Sequence, residues 1–144
     1  MNTRKLLGSL TLVALLGMAA CSDGASSKAV ISKADFLTKG NALCTTFNAT
    51  SDAAQANITT EDEQIAFIND TLVPGIRSTV ASIRALGFPK GDEALLSGLM
   101  DDTEAKLTEI EADPAAAVAA GVDPFADINT QLAAYGLTVC GQAG

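Results

Sequence analysis

The chain has no histidine and no tryptophan among its 144 residues, and only one tyrosine, five phenylalanines, four prolines and three cysteines. Lacking histidine, it has neither the commonest general base at neutral pH nor the commonest metal ligand. Its many serines and threonines lack an activating partner, because past residue 20 there is no Gly-x-Ser-x-Gly elbow and no Ser-x-x-Lys pair. No phosphate-cradling glycine loop occurs. Positive charge is scarce as well, with nine Lys and Arg against 17 Asp and Glu. Such an acidic surface repels polyanions, which argues against a nucleic-acid partner. The length allows one domain at most. These absences predict a protein that is not an enzyme and needs no cofactor and no metal. A hydrolase built only of carboxylates, of the glycosidase kind, is the remote alternative, since two acids would have to converge in a cleft that so small a domain has little room to form.

The first 20 residues read as a secretory leader. Arg4 and Lys5 precede an apolar run from Leu6 to Ala20, which ends in small residues just before Cys21. The order Met18-Ala19-Ala20-Cys21 resembles the bacterial lipobox, with Met18 where Leu is commoner. That resemblance implies that the Cys21 sulfur receives a diacylglycerol and that Cys21 becomes the new N-terminus. Two or three acyl chains, palmitate among them, would hold the protein on a membrane, each buried methylene adding about 0.8 kcal/mol of affinity. The alternatives are an ordinary cleaved leader and an uncleaved helix, the latter too short to span a bilayer comfortably. After removal of residues 1–20 the remaining 124 residues carry seven basic and 17 acidic groups, a net charge of -10. Residues 21–31 then form a lipid-anchored tether, and residues 32–144 the folded domain.

Three cysteines leave one unpaired in an oxidising compartment, and lipidation of Cys21 removes the odd thiol. Cys44 and Cys140 remain as a structural disulfide, 96 positions apart. In the chain-entropy account a loop of that size adds about 4.7 kcal/mol of stability. The alternative, a redox-active pair, lacks the close Cys-x-x-Cys spacing such pairs use.

The spacing of apolar residues predicts four helices. The first starts at Ser32, with Asp35 three positions on, and carries Phe36, Gly40, Leu43 and Phe47 on one stripe with Leu37 and Cys44 at its edge. Residues 50–58 read as a frayed end and a loop. Thr60 and Glu63 form a capping box for the second helix, whose stripe runs from Ile65 to Leu86 and is broken by Pro74, where a kink is expected. Gly87-Phe88-Pro89 ends it. Asp92 caps the third helix, with Leu95, Leu96, Leu99, Thr103, Leu107 and Ile110 on one side and Met100 on the flank. Asp113-Pro114 opens a short alanine-rich turn closed by Gly121. Asp123-Pro124 opens the fourth helix, with Phe125, Ile128, Leu132 and Tyr135 inward and Gly136 at its end. The expected fold is all-α, an antiparallel four-helix bundle closed by one disulfide.

The remaining candidates have plain structural explanations. Asp70, Arg77 and Arg84 fall at heptad spacing about 120 to 160° from the apolar stripe, an anion ridge or, more simply, a solvated face. Glu61, Asp62 and Glu63, and Asp101, Asp102 and Glu104, lack the loop spacing of a calcium site. Lys106 lies near the core stripe, where Asp102 or Glu109 would pair with it. Asn48-Ala-Thr50 and Asn57-Ile-Thr59 match the glycosylation pattern, which a bacterial lipobox argues against.

Taken together, Ser32-Lys33-Ala34-Asp35-Phe36, Asn41-Ala42-Leu43-Cys44, Gly87-Phe88-Pro89, Ala134-Tyr135-Gly136-Leu137 and Cys140-Gly141 resemble a group of small secreted or lipid-anchored helical proteins of Actinobacteria, mostly without known function. The resemblance implies a helical domain whose two cysteines pair, and no catalytic residue. The expected role is a non-catalytic interaction or accessory module of the cell envelope, on the outer face of the cytoplasmic membrane, with an envelope protein as partner. The alternative is a carrier holding a small apolar ligand in the bundle core, for which an enclosed apolar cavity above about 300 Å³ would speak.

Overall fold

The computed structural model describes residues 30–142. The leader, Cys21 with its expected acyl chains, and most of the tether lie outside the described residues. What is described is all-helical, without a strand, and is closed by the disulfide between Cys44 and Cys140, whose Cα atoms are 5.1 Å apart.

Helix α1 spans Lys33–Gln55 and is capped by the Ser32 hydroxyl, which accepts the Asp35 backbone N–H. It runs through the segment expected to fray. Ala53, Ala54 and Gln55 are strong helix formers, and the Thr45, Thr46 and Thr50 hydroxyls bond back to carbonyls one turn earlier instead of breaking the helix. Helix α2, Glu61–Phe67, starts at the reciprocal Thr60 and Glu63 capping box. The expected interruption follows as a π-helical turn over Ile68–Leu72, after which α3 spans Val73–Ala85. Pro74 has no N–H to give, and the register widens just before it, Val73 N–H reaching back to the Ile68 carbonyl. Gly87 then reverses the chain at φ 76°.

Helix α4 covers Glu93–Ala112 and α5 Pro114–Ala120, so the alanine-rich turn is itself a short helix, capped by Asp113. Helix α6, Ala126–Tyr135, starts two residues later than Asp123-Pro124 suggested, because Asp123 first closes a turn onto the Phe125 N–H. Leu95, expected inward, is half exposed, since it lies about a quarter turn from the centre of the buried stripe.

The core forms in two pieces. The larger joins α1, α3, α4 and α6 around Phe36, Val80, Leu96, Met100, Leu132 and Leu137. The smaller joins α2, the π turn, α3 and α4 around Phe67, Ile68, Val73, Leu107 and Ile110. Ile76 and Phe125 pack against both.

Candidate functional site

A cleft of about 540 Å³ lies where the two core clusters fail to merge. On the α3 side it is lined by Ile76, Val80 and Ile83, and on the α4 side by Met100 and Thr103. Helix α6 supplies Ile128 and Leu132, the smaller cluster supplies Phe67, and α1 supplies Cys44 and Phe47. Most of these side chains belong to the helical stripes read from the sequence. Several of them also pack together in the larger core cluster, so the cleft lies against packed core.

Phe47 is held at the wall by a glycine. A Cβ on Gly75 would come within 2.6 Å of the Phe47 ring, so only glycine lets α1 and α3 approach there. Glycine inside a helix costs about 1 kcal/mol relative to alanine, and here the close contact is what it allows. Asn48, Ser51, Asp52 and Gln55 from α1 meet Asp123, Asn129 and Gln142 around the same space. A second, smaller crevice of about 250 Å³ shares Gln55, Phe67, Leu72 and Pro124 with the first.

The disulfide stands in the cleft wall, since both Cys44 and Cys140 line it. Side-chain amides on α1 reinforce the covalent clasp. Asn41 donates to the Gly136 carbonyl at 3.1 Å and accepts the Val139 N–H at 2.9 Å, while Asn48 donates to the Val139 carbonyl at 3.4 Å. Asn41, Cys44 and Asn48 follow one another at spacings of 3 and 4 on one helix face. That spacing was visible in the sequence, but Asn41 was read only as part of a motif. Gly141 packs so close to α6 that a Cβ there would overlap the Asn129 carbonyl. The residues after α6 are therefore a fixed wall of the cleft.

Arg77 and Arg84 lie on a partly exposed face, where they are paired with carboxylates instead of standing free as an anion ridge. Arg77 donates to Glu104 at 3.1 Å and to both oxygens of Glu111, and Arg84 donates to Asp101 at 2.6 Å. Glu111 and Glu104 hold the Arg77 guanidinium above its ordinary pKa, and Arg77 in turn holds Glu111 below the usual carboxylate range. Asp70 does not join them. Asp70 lies within the π turn, which changes the register between it and α3. Lys106 pairs with Glu109 and not with Asp102.

Among the described residues no three acidic or cysteine side chains converge as a metal cage. Glu63 is spent on capping, where the backbone N–H and hydroxyl of Thr59 and then the hydroxyl and N–H of Thr60 draw its pKa down. No described helix is long and apolar enough to cross a membrane. Compared with protein-family descriptions, with curated proteins and with solved structures, the chain matches none.

Proposed function

We propose that this protein is an exported lipoprotein, anchored through Cys21 on the outer face of the cytoplasmic membrane, that holds a small apolar molecule in the cleft of an antiparallel four-helix bundle. The observation that carries the binding half is the cleft itself. Its volume of about 540 Å³ lies within the usual range for small-molecule sites and its walls are largely aliphatic and aromatic, although it opens to solvent where an enclosed cavity was expected. The leader, the lipobox resemblance and the odd cysteine support the anchor. Of the two carboxylates at the cleft, Asp123 is already committed to the Phe125 N–H and the Asn129 amide. The role we read from this lining is one of holding the molecule.

Nile red, a neutral apolar dye that brightens out of water, tests the cleft. The full chain carrying Cys21→Ser should bind it saturably with one site, and Ser51→Trp, which places an indole in the opening, should abolish that binding. Absence of saturable binding, or binding indifferent to the plug, would overturn the reading. In the native host, Cys21→Ser should move the protein from the membrane fraction to the medium, and continued membrane retention would refute the anchor.

A further inference from the structure

We infer that the cleft selects an apolar molecule ending in a positively charged hydrogen-bond donor, an alkylammonium, over one ending in a carboxylate or phosphate. The inference rests on the reading of the cleft as a binding site and adds the chemistry of the ligand's polar end.

Two features bear on the choice. The first is charge. Among the described residues no Lys or Arg lines either crevice, whereas Asp52 and Asp123 both reach the larger one. The cations that directly follow lining residues, Arg77 after Ile76 and Arg84 after Ile83, are committed to Glu104 and Glu111 and to Asp101. Asp52 forms no ion pair among the described residues. An anionic head beside the exposed Asp52 and the half-buried Asp123 would therefore face negative charge with no counter-ion.

The second feature is the direction of the hydrogen bonds. Thr103, the polar group set deepest at 6% exposure, gives its hydroxyl proton to the Leu99 carbonyl at 2.8 Å. Thr79 gives its proton to the Gly75 carbonyl at 3.0 Å. Asn48 and Asn129 each turn their amide nitrogen into the protein, toward the Val139 carbonyl and the Asp123 carboxylate. The two threonine hydroxyls leave lone pairs for a ligand, each amide keeps one N–H, and Ser51, Gln55 and Gln142 can donate or accept, so the carboxylates of Asp52 and Asp123 are what favour a donor. An ammonium brings three donors and a compensating charge.

Three amphiphiles with the same tail separate the possibilities: decylammonium, decanol and decanoate, each below its micelle concentration. Each is titrated calorimetrically into the full chain carrying Cys21→Ser, in about 0.15 M salt to screen long-range attraction. Decylammonium should bind at least about tenfold more tightly than decanoate, with decanol between them. Asp52→Asn should cut the preference for ammonium over decanol at least about threefold and leave decanol binding unchanged. Ser51→Trp should abolish binding of all three. Decanoate binding as tightly as decylammonium would overturn the head-group inference while leaving the cleft intact. Ammonium binding that survives the plug would mean adsorption to the acidic surface, and would overturn it too. If decanol and Nile red both fail to bind, the cleft reading falls and the inference falls with it.

Discussion

The single tyrosine shows how much one side chain organises. The Tyr135 hydroxyl donates to Asp92 at 2.6 Å, its ring stands edge-on to Phe36, and the Lys33 ammonium sits 4.0 Å from the ring centre and 3.7 Å from the same carboxylate. Asp92 holds the N-cap position of α4 that the sequence suggested, yet its side chain makes no capping bond. The carboxylate is drawn instead to a residue 43 positions away, and Glu93 takes the Gly91 N–H. A local motif reports where a helix begins, whereas the partner of the capping side chain depends on what the fold brings near. Burial, and then Asp92, push the Tyr135 phenol above its ordinary pKa of 10.0. A group raised on folding contributes stability that is complete below its unfolded value and is lost as pH climbs toward the folded one. Tyr135→Phe should therefore cost about 1 to 2 kcal/mol at neutral pH in urea unfolding. It should also flatten the loss of stability that the parent protein shows above pH 10.0.

At the level of elements, the contact between α3 and α4 is sewn by charge along its outer edge. Arg77 meets Glu104 and Glu111 while Arg84 meets Asp101, so later residues of α3 pair with earlier residues of α4. Arg77 and Arg84 are a heptad apart, as are Glu104 and Glu111, but only the arginine row was legible as a helix face. Which rows face each other was not, because that depends on how two apolar stripes rotate when they pack. The same limit explains Leu95 and Asp70, one at the margin of its stripe and the other within the π turn. Glu111 and Glu63 both have lowered pKa values, so their contribution is present above the ordinary carboxylate value of 4.5 and is lost as pH falls through the folded values below it. Thermal stability should decline from about pH 4.5 downward. Glu111→Gln should be less stable than the parent at pH 7 and show a shallower acid limb, as differential scanning fluorimetry across pH would reveal.

For the whole molecule, cysteine arithmetic predicted the most consequential contact in the fold. The bridge joins α1 to the segment after α6, where the amides of Asn41 and Asn48 reinforce it. Cys44→Ser with Cys140→Ser should lower the melting temperature by about 10 °C or more. Because both sulfurs line the cleft, Nile red affinity should fall in the same variant, measured well below its melting point. The cleft itself could not be read from the sequence. It is a volume that neither core cluster fills, and such a space depends on the sizes and rotations of side chains from five helices at once. The covalent tie also makes a ring of everything from residue 44 to residue 140, including the exposed turns near Asn57 and Gly91. A protease that cuts either turn severs the backbone without releasing a fragment, so the clipped protein migrates as one species until a reductant is added.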